Sequence, residues 1–232
     1  MNEMNPKKIA AEIAVGEITS GMIVGLGTGS TASFAIDAIG KKVSKGFDIR
    51  AVPTSLRSER QARELGIQIR SINEPVTIDI TIDGADQVEG QNNLIKGGGG
   101  SLLREKIVAF NSRRFYVIVD ESKLVDALTF PLPVEIIPFA SSMTIQHLRS
   151  LGCSPVIRQQ NGQDFITDNG NLVADCHFNK PITDPETLSV RLKKIPGVVE
   201  TGLFPHAMVT SVFVGYTTGH VNILQTKKEK EL

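Results

Sequence analysis

The stretch "MIVGLGTGSTASFAIDAIG", residues 22–40, decides how the chain is to be read. Its first six residues form a short apolar run suited to a buried strand. Phe34, Ala35, Ala38 and Ile39 then recur at helical spacing, so the glycine, threonine and serine residues between them mark a strand-to-helix turn. Such a turn collects anions, because unpaired N–H groups and the positive end of the helix dipole point out of it together. The "GLGTGST" loop, residues 25–31, lacks the third glycine of a dinucleotide fingerprint, since Ser30 stands in its place, and no Gly-Lys-Ser/Thr follows to make a nucleotide P-loop. Thr28, Gly29, Ser30 and Thr31 offer hydroxyls and amides suited to one phosphate monoester. A plain strand-to-helix turn and a dinucleotide site are the other readings.

Working outward, Asn5-Pro6 reads as an N-cap and first helical position, followed by the apolar stripe Ile9, Ala10, Ile13 and Ala14. Downstream, "DIRAVPT" (48–54), "IQIRSI" (67–72), "VTIDITID" (76–83) and "RFYVIVD" (114–120) are strands. "SLRSERQARELG" (55–66), capped by Ser55 and stopped by Gly66, and "SLLREKIVAFNSR" (101–113) are helices. Strands alternating with helices predict an α/β domain with a Rossmann-like, mostly parallel sheet covered on both faces. After "PLP" (131–133) the order becomes β-α-β-β-α-β, with Asn169-Gly170 as a tight-turn signal and Asp184-Pro185 opening the second helix. That order predicts a smaller inserted α+β, ferredoxin-like domain over 131–203, with 1–130 and 204–232 forming the larger one. "TSVFVGY" and "VNIL" are expected to return to the larger sheet, and the terminal "KKEKEL" to be a solvated charged end.

Twenty-five basic residues balance twenty-five acidic ones, which gives no global attraction to nucleic acid or to an anionic membrane. No apolar run approaches the roughly 20 residues that span a bilayer, and "MNEMNPKKIA" lacks the apolar core of a signal peptide. The two cysteines, Cys153 and Cys176, form neither a disulfide framework nor a metal-ligand spacing, so a reducing cytoplasm is the expected compartment.

Chemistry concentrates in "DGADQVEGQNNLIKGGGGSLLREKIV", residues 83–108. Four consecutive glycines are costly unless the backbone must curl tightly or approach something closely. Asp83, Gly84, Ala85 and Asp86 leave a strand at its C-terminal end, where ligands of open α/β sheets gather. Lys96 followed by Gly97, Gly98 and Gly99 at a helix start supplies a cation, amides and a dipole, the means of stabilising a developing oxyanion. Glu105 follows within two helical turns and is read as a general base; alone it would pass for an exposed helix residue paired with Arg104 or Lys106. Lys123 also follows a strand end. The four histidines are scattered, which gives no metal set. A carboxylate base, an oxyanion site and a phosphate cradle together describe proton abstraction beside the carbonyl of a phosphorylated sugar, that is, aldose–ketose isomerisation.

"GLGTGST", "DGAD", "LIKGGGG", "REKI", "DESK", "PLPVE", "TDNGN" and "GVVETGLF" stand in the order and spacing of the ribose-5-phosphate isomerase type A family, which the chain resembles from about Lys7 to its last strand. The resemblance implies interconversion of ribose 5-phosphate and ribulose 5-phosphate in the non-oxidative pentose phosphate pathway, without metal or other cofactor, by a homodimer or homotetramer. It implies Glu105 as catalytic base, Asp83 in ring opening, Asp86 at the sugar hydroxyls, Lys96 with the amides of Gly97, Gly98 and Gly99 at the oxyanion, and Thr28 to Thr31 with Lys7 and Lys123 at the phosphate. Departures from the family pattern are Gln87, Gly100, Ser101 and Thr218; Gly100 and Ser101 are expected to loosen the loop slightly. Rival readings are a sugar-phosphate sensor, for which a helix-turn-helix segment is expected and the residues before Lys7 leave no room, and a deaminase or acyl-CoA transferase on a similar fold.

Overall fold

The computed structural model describes residues 5–71, 73 and 75–226; the charged "KKEKEL" end lies outside them. The chain divides into two compact units, Met1–Ala85 with Arg104–Leu124 and His206–Leu232, and Asp86–Leu103 with Val125–Pro205. Residues 86–103 and 125–130, placed with the larger domain from sequence, thus group with the smaller one, and Phe204 and Pro205 do too.

The first unit is built on a seven-stranded sheet. Taken in chain order, Ile23–Leu26, Arg50–Pro53, Gln68–Ile69, Ile80–Asp83, Phe115–Asp120, Ser211–Gly215 and Val221–Gln225 lie in the spatial order 3-2-1-4-5-6-7. All neighbours are parallel except the last pair, a hairpin that closes one edge. Both closing strands therefore return to this sheet. All six residues of Phe115–Asp120 and all four of Ile80–Asp83 are buried, as strands covered on both faces must be. The strand order reverses between Ile23–Leu26 and Ile80–Asp83, and the crevice beyond their carboxyl ends is where doubly wound sheets bind ligands.

Helix α1 (Pro6–Gly16) starts where Asn5 accepts from the Lys7 and Lys8 amides, and it buries Ala10, Ala11, Ala14 and Val15. Helix α2 (Ser30–Val43) buries Ala32, Ala35, Ile36, Ile39 and Gly40. Helix α3 (Leu56–Glu64) opens with a capping box between Ser55 and Ser58, and Gly66 stands just past it at φ +72°. Helix α4 (Leu102–Phe110) carries Glu105 in its first turn.

The second unit contains the β-α-β-β-α-β arrangement, with helices α5 (Ser141–Arg149) and α6 (Pro185–Lys193). Its antiparallel sheet runs Cys153–Ile157, Leu172–Phe178, Leu132–Ile136, Val198–Thr201, the ferredoxin-like order. Leu132, Val134 and Ile136 join Ile145, Leu148 and Leu192 in one core, whereas Glu135 and Asp175 lie on the opposite sheet face. Glu135, fully buried, accepts from Thr167, Asn169 and Asn171 and so pins the "TDNGN" turn from inside. Asp184 caps α6 as its sequence indicates.

Two features were not foreseen. A second hairpin, Gln159–Gln160 with Gln163–Asp164, turns at Asn161-Gly162, where both residues have positive φ. At Asn169-Gly170 only the glycine does. In addition, Gln87–Glu89, Leu94–Ile95 and Leu203–Phe204 form short antiparallel pairs that hold the strand before the glycine run in place. No helix among the described residues is long and apolar enough to cross a membrane.

Candidate active site

In the first unit, the two loops at the reversal point are joined directly. Asp83, fully buried, accepts from the Thr28 amide at 3.0 Å and the Gly84 amide at 2.7 Å, both on Oδ1. Close approach explains Gly27: a Cβ there would come within 2.1 Å of Asp83 Oδ1. Ala85 follows, half-buried, at the strand exit.

Gly29, at φ +113°, stands at the N-cap of α2 and provides no side-chain cap, and the first turn has no acidic residue. The Ser30 and Thr31 amides and the dipole of this 14-residue helix are therefore left facing outward without a negative partner in the helix, which favours an anion. Lys7, from α1, reaches this turn with Nζ 3.4 Å from Ser30 Oγ and 3.9 Å from Asp120 Oδ2. Asp120 in turn caps the 3₁₀ turn Glu121–Lys123, which carries Lys123, half-buried, at its end. The Thr28 hydroxyl, read from sequence as a phosphate donor, bonds instead to Thr54 Oγ1 at 2.8 Å and Ser55 Oγ at 2.7 Å. Thr28 thus ties the α2 turn to the α3 cap. Thr54 and Asp120 escaped the sequence reading, and Ser55 was read only as a helix cap; the hydroxyl pair at the end of its strand and the aspartate opening "DESK" were the signals. Glu105, 4% exposed, is buried in the first turn of α4, which removes the reading of an exposed helix residue.

In the second unit, Asp86 and the glycine run meet: the Gly98 amide donates to Asp86 Oδ2 at 2.7 Å. Lys96 is 2% exposed, its amide bonds the Gly202 carbonyl at 2.9 Å, and its ammonium lies 5.4 Å from the Phe204 ring centre. The glycines have separate reasons. Gly97 and Gly100 have φ +100° and +83°, and a Cβ on Gly98 would stand 2.6 Å from Asp86 Oδ1. Around Gly99 there is open space. Gly100 does not loosen the loop, because the Phe165 ring occupies the place a Cβ would need, at 2.3 Å. Gln87 is turned to the backbone of the following segment, accepting from the Thr129 and Phe130 amides at 2.8 Å each. Thr218 bonds His220 Nδ1 at 2.8 Å. Among the described residues, no three His, Cys, Asp or Glu side chains gather as a metal centre would need.

The chain is similar to known proteins along most of its length. Residues 50–219 match the family described as Ribose 5-phosphate isomerase A (phosphoriboisomerase A). A relative from Bacillus mycoides (strain KBAB4), named Ribose-5-phosphate isomerase A, is 49% identical over 93% of this chain and 98% of its own length. The solved ribose 5-phosphate isomerase A of Methanocaldococcus jannaschii superposes with a TM-score of 0.89 at 41% identity, over 94% of this chain and 97% of the other. A D-ribose-5-phosphate isomerase solved in complex with phospho-erythronic acid gives 0.91 at 40% identity, over 97% and 100%. The family match covers most of the chain, the relatives span nearly all of it, and the α/β fold is theirs: the chain belongs to the ribose 5-phosphate isomerase A family.

Proposed function

We propose that the chain interconverts D-ribose 5-phosphate and D-ribulose 5-phosphate through an enediolate, in the non-oxidative pentose phosphate pathway of the cytoplasm. The substrate phosphate docks at Gly29, Ser30 and Thr31, with Lys7 and Lys123 adding positive charge. Asp83 assists ring opening and Asp86 receives the sugar hydroxyls. The Glu105 carboxylate removes the C2 proton of the open-chain aldose; the C–H electrons form the C1–C2 double bond, and those of the carbonyl move onto O1. Lys96 and the glycine amides stabilise that oxyanion; the O2 hydroxyl proton passes to O1, and Glu105 returns a proton to C1 as the ketone forms at C2. The hydrogen moves between neighbouring carbons with no net oxidation, so the scheme needs neither metal nor cofactor.

The observation that carries this reading is Glu105, a carboxylate 4% exposed in the first helical turn after the glycine run, in a chain of this family. The relative solved in complex with phospho-erythronic acid, a phosphorylated sugar acid, supports a phosphorylated sugar chain as the recognised species. A homodimer or homotetramer is the proposed assembly, since Phe139 and Met143, 83% and 63% exposed, offer apolar surface for a second copy to cover. The test is turnover of ribose 5-phosphate in deuterium oxide, with the ribulose 5-phosphate read by NMR. Some solvent deuterium at C1 is expected, from exchange while Glu105 holds the proton; no deuterium at C1, with the C2 hydrogen wholly transferred, would speak against an exchanging enediolate.

A further inference from the structure

Four glycines in a row have little reason to hold one conformation, since each populates both signs of φ and the peptide planes between them can flip. An oxyanion site requires the opposite, donors fixed before the substrate arrives. In the second unit one side chain meets that requirement. Arg158 donates from Nη1 to the carbonyls of Gly97 at 2.9 Å and Gly98 at 3.0 Å. Its other edge is fixed by Asp175, with Nε 2.9 Å from Oδ2 and Nη2 on Oδ1. The Phe165 ring packs 5.8 Å from the guanidinium carbon and also fills the space beside Gly100.

The consequence follows from peptide geometry. No peptide bond among the described residues is cis, and in a trans peptide the C=O and N–H point opposite ways. Holding the Gly97 carbonyl toward Arg158 turns the Gly98 N–H away from it, and that N–H is found on Asp86. Holding the Gly98 carbonyl likewise turns the Gly99 N–H away, at the position where the backbone is exposed and no atom would crowd a Cβ. A guanidinium on the carbonyl end of a peptide also polarises its N–H, strengthening it as a donor.

We propose that Arg158, oriented by Asp175, is a positioning residue that sets the two peptide planes of the glycine run so that their N–H groups face Asp86 and the substrate oxygen. This rests on the isomerase reading above. Only arginine fits the task. Its planar fork grips a carboxylate with two nitrogens while the third keeps hydrogens for two carbonyls, whereas a lysine ammonium has three donors and no fork.

The test is steady-state kinetics with ribose 5-phosphate for Arg158→Met, Arg158→Lys and Asp175→Asn, alongside hydrogen exchange of residues 97–100. For both Arg158 variants kcat is expected to fall on the order of 10- to 100-fold, the scale of a misplaced reacting group, with KM within a factor of about three. The Gly98 and Gly100 amides should exchange faster while the α5 and α6 amides keep their protection. Asp175→Asn preserves shape and should show a smaller loss of the same kind; it carries the test if an Arg158 variant does not fold. Wild-type kcat in a folded variant, or a kcat loss with exchange at 97–100 unchanged, would overturn the proposal. If the unmodified protein fails to turn over ribose 5-phosphate, the isomerase reading falls by itself, and the exchange data still decide whether Arg158 orders the loop.

Discussion

Replacing Gly100 and its neighbour Gly99 separately by alanine should give two very different proteins. At Gly100 the backbone sits at φ +83°, a conformation that costs an L-residue about 1–2 kcal/mol, and the new methyl would meet Phe165 ring carbons at 2.3 and 2.4 Å. The ring is half-buried and can swing aside, but only by giving up its packing on Arg158, so overpacking adds about 1–3 kcal/mol. The sum is about 2–5 kcal/mol. At Gly99 nothing stands within 4 Å and φ is not positive, so alanine should be neutral or stabilise by up to about 1 kcal/mol through the unfolded chain. Urea unfolding of both variants measures the difference directly. Against a Phe165→Ala background the steric part should vanish, leaving about 1–2 kcal/mol for the backbone at Gly100. Equal stabilities for the two single variants would refute the reasoning that each glycine of the run has its own cause.

Other consequences are open to measurement. Gly27→Ala puts a methyl 2.1 Å from Asp83 Oδ1 and should lower kcat more than 10-fold, the scale on which displaced groups cost rate; unchanged turnover would mean that Asp83 can move without harm. Ser55→Ala removes the capping box of α3 and a partner of Thr28, so urea denaturation should show a loss of about 1–2 kcal/mol, and no loss would deny the cap its role. The Cys176 thiol, fully buried, is pushed well above its ordinary range by its hydrogen bond with Cys153 and by burial, so native protein should react with disulfide reagents there only as fast as it opens. Rapid labelling of Cys176 in the native state would contradict that packing.

What was legible in the sequence was local. Asn5, Ser55 and Asp184 announce their helices because a cap is an interaction over two or three residues, and each accepts the amide that its position requires. The alternation of strands and helices carried the parallel sheet for the same reason. Pairings between distant segments were not legible. Leu94–Ile95 is two residues long and becomes a strand because Leu203–Phe204 lies beside it. The turn at Asn161-Gly162 is flanked by exposed polar residues, with no alternation to mark its strands. At the site, glycine and charge content drew the eye to residues 25–31 and 83–108, whereas the groups that hold those loops, Thr54 for the first and Arg158 for the second, are ordinary residues just past the ends of short strands. Arg158 meets its partners 17 and 61 positions away, which only the fold reveals.

The most direct measurement is the turnover of ribose 5-phosphate by Glu105→Gln beside the unmodified protein, with ribulose 5-phosphate followed over time. The carboxamide keeps the shape and removes the base, so kcat should fall on the order of 10² to 10⁴ while KM is nearly kept. A folded Glu105→Gln variant that turns over at the unmodified rate would take the proton-transfer role away from Glu105.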